Sequence, residues 1–479
     1  MTDLTALGAR EAIALLRRGE VTPLDLIDAA EARIRAVDGA VNALPTLCLD
    51  RARDHARRLM ARAPDDRGPL AGLPLAIKDL DDVAGVRTTY GSPIYADHVP
   101  ARSGLMVETL EARGGIVIAK SNTPEFGAGA NTFNEVFGKT LNPWDRRLTC
   151  GGSSGGAAVA LATGETWLAT GSDLGGSLRT PASFCGVVGL RPSPGRVATG
   201  PDPLPFDTLA VAGPMGRDVV DVALMLDAMA GAHPADPRSL PPPARPFLAA
   251  VDAPEPPRRV AFSPDLGITP VDPEVAEICA RAARRVFADM GAAVEDACPD
   301  FSDAPETFQT LRAARFAAGK APLLETERAR LKPEMAWNIE KGLALDGDAI
   351  GAAERARGAL YHRVVAFFDD YDLLVCPAAI VPPFDVNQRY LAEAGGQKFD
   401  DYVAWIAITF VLTLTSCPVL CLPAGFTRTG LPVGIQIMGP PRGEARVLAA
   451  GALFEAAAGL APLTPIEPRD RATPRHARR

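Results

Sequence analysis

Short apolar runs bounded by glycine and proline recur along this chain of 479 residues, and they constrain its fold more than any other feature. Such runs are typical of strands buried on both faces, because a buried strand needs no polar side. Helical patterns lie between them, for instance at 219–229 and 275–290. Because strands that alternate with helices indicate an α/β fold, the sequence predicts a central mixed β-sheet covered by helices on both faces. The apolar runs lie at 75–77, 116–119, 373–375, 419–422 and 433–438.

The clearest single helix in the sequence begins at the pair Thr22–Pro23. Threonine is a favoured N-cap residue, proline suits the first helical position, and Asp25 completes a box-like cap. We predict that this helix ends at Gly39. Proline and glycine are dense at 233–257, which indicates a long loop that marks an insertion or a domain edge.

Composition narrows the classes of partner and cofactor. The formal net charge of −8 disfavours a nucleic-acid partner, which would need a basic face. The eight cysteines form no CxxC pair, and the five histidines do not cluster with them. We therefore expect reduced, mostly buried thiols, no disulfide framework and no metal site.

One stretch, 402–426, carries no charged residue and is long enough to span a bilayer. Pro418 and Pro423 interrupt it, so we predict a buried helix followed by a buried strand that forms a hairpin with the next apolar run. The N-terminus shows no basic region ahead of an apolar core, as a signal peptide would. We expect a cytoplasmic protein that does not bind a membrane.

Two clusters of glycine and serine are the strongest candidates for a functional site. They read CGGSSGGAAVA at 150–160 and GSDLGGSLR at 171–179. The first contains G-x-S-x-G, the turn that presents the nucleophile of α/β-hydrolases. That turn requires a strand before it, whereas NPWDRRLTC precedes it here, and no downstream histidine has a suitable context. A Ser-His-Asp triad is therefore disfavoured.

A serine can instead be activated by a lysine. Lys78 ends the apolar run of GLPLAIKDL at 72–80, where a strand would carry it from the core toward the edge of a sheet. A lysine acting as a base must be neutral, which requires its pKa to fall about three units from its ordinary value. Desolvation among leucine and isoleucine side chains can produce a shift of that size. The alternative is a lysine that only marks where the strand leaves the core.

The segment 151–193, which includes both Gly-Ser clusters, closely resembles the signature of the amidase signature family. The lysine segment GLPLAIKD, the segment AKSNTPEFGAGANTFNEVFGKTLNPWD and the later GLPVGIQIMGPP also fit, so the resemblance covers nearly the whole chain. It implies one amidase domain over 1–479, with N-terminal helices at 1–65 and a core bearing the catalytic residues at 66–215. A variable helical region at 300–358 would shape the substrate pocket, and the basic tail at 469–479 would be frayed.

The family uses a Ser–cis-Ser–Lys triad, and its motif positions fall on Ser177, Ser153 and Lys78. The resemblance implies Ser177 as the nucleophile, Ser153 as the proton relay and Lys78 as the neutral base, with a cis bond between Gly152 and Ser153. No metal or organic cofactor is implied.

The same resemblance assigns supporting roles around the triad. Backbone N–H groups from Leu174 to Ser177, freed by Gly175 and Gly176, would form an oxyanion hole. Gly127 matches a position that lines the substrate pocket. Further support for the loops is implied for Ser154, Asp173 and Arg179. Pocket-lining candidates in the variable region are Phe308, Phe316, Trp337 and Ile339.

The resemblance implies hydrolysis of the carbon–nitrogen bond of small or aryl amides, with carbamates and esters as further candidates. The expected partner is a small-molecule substrate, and the chain would be a monomer or a homodimer. The main alternative is the A-type subunit of a glutamyl-tRNA(Gln) amidotransferase, which carries a segment resembling SAEASSNLARYDG that this chain lacks. An inactive assembly subunit is a further alternative, although all three triad residues are present.

Overall fold

The computed structural model describes residues 3–460 and 463–471. Its strands are β1 (Thr46–Leu47), β2 (Pro74–Lys78), β3 (Ile116–Ser121), β4 (Phe133–Asn134), β5 (Gly138–Lys139), β6 (Leu168–Asp173), β7 (Val188–Arg191), β8 (Val211–Gly216), β9 (Arg259–Phe262), β10 (Ala293–Asp296), β11 (Leu373–Pro377), β12 (Glu393–Ala394), β13 (Gln397–Lys398), β14 (Val419–Phe426) and β15 (Pro432–Met438). Its helices are α1 (Ala9–Arg18), α2 (Pro23–Val41), α3 (Leu49–Met60), α4 (Leu105–Ala112), α5 (Gly155–Thr163), α6 (Arg179–Cys185), α7 (Val219–Met229), α8 (Phe247–Asp252), α9 (Pro273–Asp289), α10 (Ala304–Glu327), α11 (Pro333–Leu343), α12 (Gly347–Asp370), α13 (Ala407–Leu414) and α14 (Glu444–Ala458).

Eleven strands form one mixed sheet in the order β1-β3-β2-β6-β8-β7-β14-β15-β11-β9-β10. The neighbours of β2, which are β3 and β6, both run parallel to it. Farther along, β6, β8, β7, β14, β15 and β11 pair in antiparallel fashion, and β11, β9 and β10 are again parallel. Helices flank this sheet, which confirms the predicted α/β class. Since β2 and β6 are parallel, their carboxyl ends meet at one edge of the sheet.

The helix predicted at Thr22–Pro23 is confirmed, with a later end than expected. The Thr22 hydroxyl accepts a hydrogen bond from the backbone N–H of Asp25, and the Asp25 carboxylate accepts one from the N–H of Thr22. The helix continues through Gly39 to Val41 and ends at Asn42, which adopts a left-handed conformation. Asparagine tolerates that conformation better than most residues, so it can end a helix as glycine does.

The uncharged stretch 402–426 contains helix α13 and strand β14, as predicted, and β14 forms an antiparallel hairpin with β15. Within 3–460 and 463–471, no helix is both long and apolar enough to cross a membrane. The region 233–257 is not wholly a loop, because α8 lies within it and Phe247 and Val251 are buried in the main core. Of the basic tail, only 469–471 lies inside the described residues.

The variable region predicted as helical consists of α10, α11 and α12. Helix α10 packs against α11, α12 and α13, and its buried face includes Phe308, Arg312 and Phe316. Helix α10 also lies beside the loop that follows β6, because the Phe308 ring is 3.4 Å from where a Cβ on Gly175 would be.

The eight cysteines are free thiols, as expected.

Candidate functional site

Lys78 is the last residue of β2, the strand between β3 and β6. Its side chain is fully buried. The backbone N–H of Lys78 donates to Thr170 Oγ1 on β6 at 3.0 Å, which fixes the strand end. The parallel pairing of β2 and β6 thus carries Lys78 to the same edge of the sheet as Ser172 and Asp173.

The Lys78 ammonium group lies among three serine hydroxyls. Its Nζ is 2.7 Å from Ser153 Oγ, 2.9 Å from Ser154 Oγ and 3.0 Å from Ser172 Oγ. Among the residues that the structure describes, no carboxylate lies within ion-pair distance of it. Burial lowers the pKa of Lys78 from 10.5 to about 7, although the charges of Asp81 and Asp173 oppose that shift. A substantial fraction of this lysine is therefore neutral at neutral pH.

Three contacts match the hydrogen-bonding capacity of a neutral amine. An uncharged lysine carries two N–H donors and one lone pair. Two hydroxyls can accept from it while the third donates its proton to the lone pair. Ser153 is the nearest of the three, and it lines the cavity that also contains Ser177, as Ser172 does.

Ser153 lies in the loop that leads into α5, and the bond between Gly152 and Ser153 is cis. The backbone of Gly127 approaches this loop closely. A side chain at Gly127, whose φ is +70°, would place its Cβ 2.9 Å from Leu80 and 3.4 Å from Ser153 Oγ. Glycine at this position thus leaves room beside the Ser153 hydroxyl.

Ser177 lies between β6 and α6, half-buried, and it lines the same cavity. Its backbone C=O accepts a hydrogen bond from the N–H of Ser154 at 3.2 Å, which ties the two Gly-Ser loops together. In the part of the chain that the structure describes, no hydrogen bond joins the hydroxyls of Ser153 and Ser177. Such bonds are often long in ligand-free sites and shorten when substrate binds.

The loop before Ser177 is fixed by the buried carboxylate of Asp173. Arg179 contacts Asp173 with Nε at 2.9 Å and a terminal nitrogen at 3.0 Å, and Arg191 approaches it at 3.3 Å. Burial alone would raise the pKa of Asp173, but the charge of Arg179 and its hydrogen bonds, with Arg191, hold that pKa far below its ordinary value. The carboxylate stays ionised and accepts N–H bonds from Gly176 and Leu178.

The bond to Gly176 changes the expected set of oxyanion donors. The Gly176 N–H donates to Asp173 at 2.9 Å, so it is not free to bind a substrate oxygen. Among the described residues, the N–H groups of Leu174, Gly175 and Ser177 have no protein acceptor, and these three residues line the cavity. Gly176 has a different requirement, because with φ at +120° a Cβ there would lie 2.3 Å from Thr409 Oγ1.

The cavity above Ser177 has a volume of about 240 Å³. Its apolar lining includes Leu80, Phe126, Phe308, Phe316 and Ile406. The predictions for Phe308 and Phe316 are confirmed.

Those for Trp337 and Ile339 are wrong. Ile339 is buried in a cluster with Phe316 and Met335, and Trp337 packs edge-on against Tyr402. Helix α11 therefore supports the cavity wall from behind.

Several residues at the site were not singled out in the sequence. Ser172 contacts Lys78, Asp81 lines the cavity near the same lysine, and Arg312 and Tyr402 lie in the α10 wall. For Ser172 the signal was its place just before Asp173 in a strand that ends at the site. No comparable signal marked the other three. Across 3–460 and 463–471, no group of three or more His, Cys, Asp or Glu side chains could hold a metal ion.

Comparison with known proteins places this geometry in a family. The model of the family described as Amidase matches residues 25–448. An acylamidase of Rhodococcus erythropolis is 34% identical over 458 residues, covering 95% of this chain and 96% of the relative. The A-type subunit of the glutamyl-tRNA(Gln) amidotransferase of Moorella thermoacetica is 35% identical over 490 residues, covering 95% of this chain and 97% of the relative.

Solved structures agree with the sequence comparison. A bacterial aryl acylamidase of the amidase signature family superposes with a TM-score of 0.88 at 26% identity, covering 94% of this chain and 96% of that one. A 6-aminohexanoate cyclic dimer hydrolase superposes with a TM-score of 0.86 at 27% identity, covering 98% and 99%. The chain belongs to the Amidase family, the amidase signature enzymes, and it is an amide-hydrolysing enzyme.

Proposed function

We propose that this enzyme hydrolyses small or aryl amides through an acyl-enzyme on Ser177, with Ser153 and Lys78 as the proton relay. The observation that carries the proposal is the buried Lys78, which lies among three hydroxyls and has a pKa of about 7. No carboxylate of the described residues pairs with it. A general base performs best when its pKa is near the working pH.

In the first half of the reaction, Ser177 Oγ attacks the carbonyl carbon of the amide. The proton of Ser177 moves to Ser153 Oγ as the proton of Ser153 moves to the lone pair of Lys78 Nζ. The C=O bond becomes a C–O⁻ single bond, whose oxygen accepts hydrogen bonds from the N–H groups of Leu174, Gly175 and Ser177. Donors fixed in this way typically contribute 10²–10³ in rate each.

The intermediate collapses when the carbonyl re-forms and the carbon–nitrogen bond breaks. The proton held by Lys78 returns along the same path to the nitrogen, since an unprotonated amide anion is a poor leaving group. Water then attacks the ester on Ser177 and gives up a proton to the relay. The relay returns this proton to Ser177 Oγ as the ester C–O bond breaks, and the carboxylic acid is released. No histidine takes part in any step.

The cavity supports small substrates with an apolar or aromatic part. Its volume of about 240 Å³ lies below the range of roughly 300–1,000 Å³ that is typical of sites for drug-sized ligands. Phe308 and Phe316 give the α10 wall an aromatic face. The similarity to an acylamidase and to an aryl acylamidase favours the same substrate class, and carbamates and esters share the carbonyl that Ser177 would attack.

The test is release of coloured amine from a panel of p-nitroanilides, with a p-nitrophenyl carbamate added, by wild type and Ser177→Ala. We expect turnover by wild type and none by a folded Ser177→Ala variant. Turnover that survives this substitution would contradict the assignment of the nucleophile.

A second candidate is an amidotransferase A-type subunit, which the 35% identity to a subunit of that kind favours. It predicts glutaminase activity that depends on copurifying partner chains. A homogeneous preparation of this chain that hydrolyses anilides without any partner chain would favour the hydrolase. The absence of turnover with every amide, together with tightly bound partner chains, would favour an assembly subunit.

A further inference from the structure

Arg312 is unlike the other buried arginines of this protein. Four arginines are buried among the described residues, and three of them lie within ion-pair distance of a carboxylate. Arg179 and Arg191 contact Asp173, and Arg196 contacts Glu444. Arg312 is only 4% exposed, yet no carboxylate of the described residues pairs with it. Buried arginines are almost always paired, so this exception requires an explanation.

Both hydrogen-bond acceptors of the Arg312 guanidinium among the described residues are neutral. One terminal nitrogen donates to Asn338 Oδ1 and the other to the hydroxyl of Tyr402. The rings of Phe316 and Tyr402 lie 4.7 and 5.2 Å from its central carbon. A guanidinium has five N–H donors, so three have no acceptor in the part of the chain that the structure describes. These contacts orient the cation without neutralising it.

Arg312 also lines the cavity that contains Ser177. The two other arginines on this lining are neutralised, since Arg238 pairs with Asp236 at 3.2 Å and Arg315 with Asp207 at 2.6 Å. The cavity lining also holds three aspartates. The charge of Asp81 is met by Lys120 and Lys78, and Asp173 pairs with Arg179 and Arg191. Asp202 lies on the lining as well, but no described carboxylate is within ion-pair distance of Arg312. Arg312 thus presents a positive charge on the α10 wall that is not part of an ion pair.

Helix geometry places this charge at a defined distance from the reaction centre. Phe308, Arg312 and Phe316 are four residues apart and share one face of α10. The Phe308 ring lies beside Gly175, within 3.4 Å of where a Cβ on that glycine would be. Arg312 is one turn farther along, about 6 Å of helix rise from Phe308. An anion bound there would be separated from the scissile carbonyl by only a few bonds.

We propose that the substrate carries a carboxylate, which Arg312 binds on the α10 wall while Ser177 attacks the amide. This inference rests on the proposed function and adds the substrate class to it. A carboxylate can accept two parallel N–H bonds from one guanidinium, which matches the donors that Arg312 has free. The substrate carboxylate would also supply the negative charge that no described residue of the protein places beside Arg312.

The first test compares two anilides of similar shape, one charged and one neutral. Succinyl-p-nitroanilide ends in a carboxylate, and 4-methylpentanoyl-p-nitroanilide has an isopropyl group of similar shape in its place. We expect wild type to prefer the charged anilide in kcat/KM by about 10- to 100-fold, the range for hydrogen bonds to charged groups. A second pair, N-acetyl-4-aminobenzoate and N-acetyl-4-isopropylaniline, places the charge on the amine side. The pair that shows the preference locates the carboxylate.

Two substitutions separate charge recognition from a structural role. Arg312→Met removes the charge at similar length, and Asn338→Asp leaves Arg312 in place but gives it a carboxylate of the protein. We expect both to abolish the preference, measured within each variant as the ratio of kcat/KM for the charged anilide to kcat/KM for the neutral one, and Arg312→Lys to restore part of it. If neither substrate pair shows a preference, or if the preference survives in folded Arg312→Met and Asn338→Asp, the inference is wrong.

Binding to Ser177→Ala distinguishes failure of this inference from failure of the proposed function. Calorimetry with the succinyl anilide and its neutral counterpart needs no turnover. Binding of the charged compound that is lost in Ser177→Ala/Arg312→Met supports the carboxylate site even if wild type hydrolyses neither anilide. Equal binding of both compounds, with turnover of the neutral one, would overturn the carboxylate site and leave the amidase assignment intact.

Discussion

The two sides of the cavity are built by different means. The side that carries Ser153 and Ser177 consists of loops that follow β6 and precede α5, and it presents backbone N–H groups and small hydroxyls. The opposite side is the face of α10, and it presents the long side chains of Phe308, Arg312 and Phe316. The loop side depends on close backbone approach, whereas the helix side depends on which side chain occupies each turn.

This difference separates the chemistry from the choice of substrate. The loop side tolerates little change, because a Cβ on Gly127 or Gly176 would come closer than 3.0 Å to a neighbouring side chain and because the Asp173 carboxylate is fixed by two arginines. A substitution on α10 changes only what the cavity accepts. We therefore expect loss of a triad residue or crowding of the loop beside Ser177 to lower turnover of every amide, and mutations on α10 to reorder the substrates.

The largest effect is expected for Lys78→Met. Loss of the general base should lower kcat/KM for every anilide by about 10²–10⁴-fold. The substitution should not lower the stability of the folded protein. Burial lowers the pKa of Lys78 in the folded state, so below about pH 7 the folded protein must hold a buried charge that costs stability. Removing that charge should leave the melting temperature at pH 6 at least as high as that of wild type.

Lys120→Met is the matched control, since Lys120 is also a fully buried lysine, one strand away on β3. Its Nζ lies 3.4 Å from an oxygen of Asp79, so this lysine has a carboxylate partner. Removing it leaves a buried carboxylate unpaired, which typically costs about 3–5 kcal/mol. Thermal unfolding should show a clear loss of stability. A Lys78→Met variant that is as unstable as Lys120→Met would argue that Lys78 is structural.

A second pair of variants tests the loop beside Ser177. Gly176→Ala would place a Cβ 2.3 Å from Thr409 Oγ1 at a φ of +120°, so the loop must move and the donors of Leu174, Gly175 and Ser177 with it. We expect kcat to fall by about 10²–10³-fold, the effect of losing one oxyanion donor. Gly175→Ala would meet its nearest atom, on Phe308, at 3.4 Å, and it should retain far more activity. Equal losses in both would mean that loop geometry is not the cause.

The sequence predicted the loop side of the site better than the helix side, for a physical reason. Lys78 ends an apolar run, and Ser153 and Ser177 lie in glycine-rich segments, so each carries a local signal of a strand end or a tight turn. Which backbone N–H groups are free to bind a substrate oxygen could not be predicted from the neighbouring residues in sequence. It depended on the Asp173 carboxylate, whose bond to Gly176 is visible only in three dimensions.

On α10 the helical pattern was readable, but the direction of each side chain was not. From the sequence, Phe316 and Trp337 were equally good candidates to line the pocket. In the structure α10 packs against α11, and Phe316 lines the cavity whereas Trp337 lies outside its lining. Arg312 gave no signal at all, because an arginine in a helix rich in alanine and arginine is usually exposed. Its burial follows from contacts with Asn338 and Tyr402, which lie 26 and 90 positions away from it in sequence.

On the helix side, Phe316→Ala should reorder neutral substrates. The ring lines the cavity, so its loss should favour larger acyl groups over small ones by about tenfold, within the range for hydrophobic pockets. Neutral anilides avoid any effect through Arg312, which Phe316 contacts. Trp337→Ala is the control, because Trp337 lies outside the lining. If the two variants rank a series of acyl-p-nitroanilides alike, Phe316 acts through packing alone.

The smallest effect is expected at Asp81, the acidic residue that raises the pKa of Lys78 most. Asp81→Asn removes this charge, so the pKa of Lys78 should fall and the base should become neutral at lower pH. The rising limb of kcat/KM, near pH 7 in wild type, should then move to lower pH. Burial raises the pKa of Asp81 itself to about 6, so the difference should be greatest between pH 6 and 7, as a gain of a few-fold.

Asp82→Asn serves as the control for this shift, because Asp82 neighbours Asp81 in sequence but is not one of the charges that directly shift the pKa of Lys78. Its carboxylate accepts a hydrogen bond from the Tyr90 hydroxyl at 2.6 Å. The pH profile of Asp82→Asn should match that of wild type. If Asp81→Asn leaves the limb unmoved as well, the ionisation that limits activity belongs to a group other than Lys78. A limb that moves in Asp81→Asn alone would tie the pH dependence to the loop side of the cavity, where a buried lysine is kept near neutrality by its surroundings.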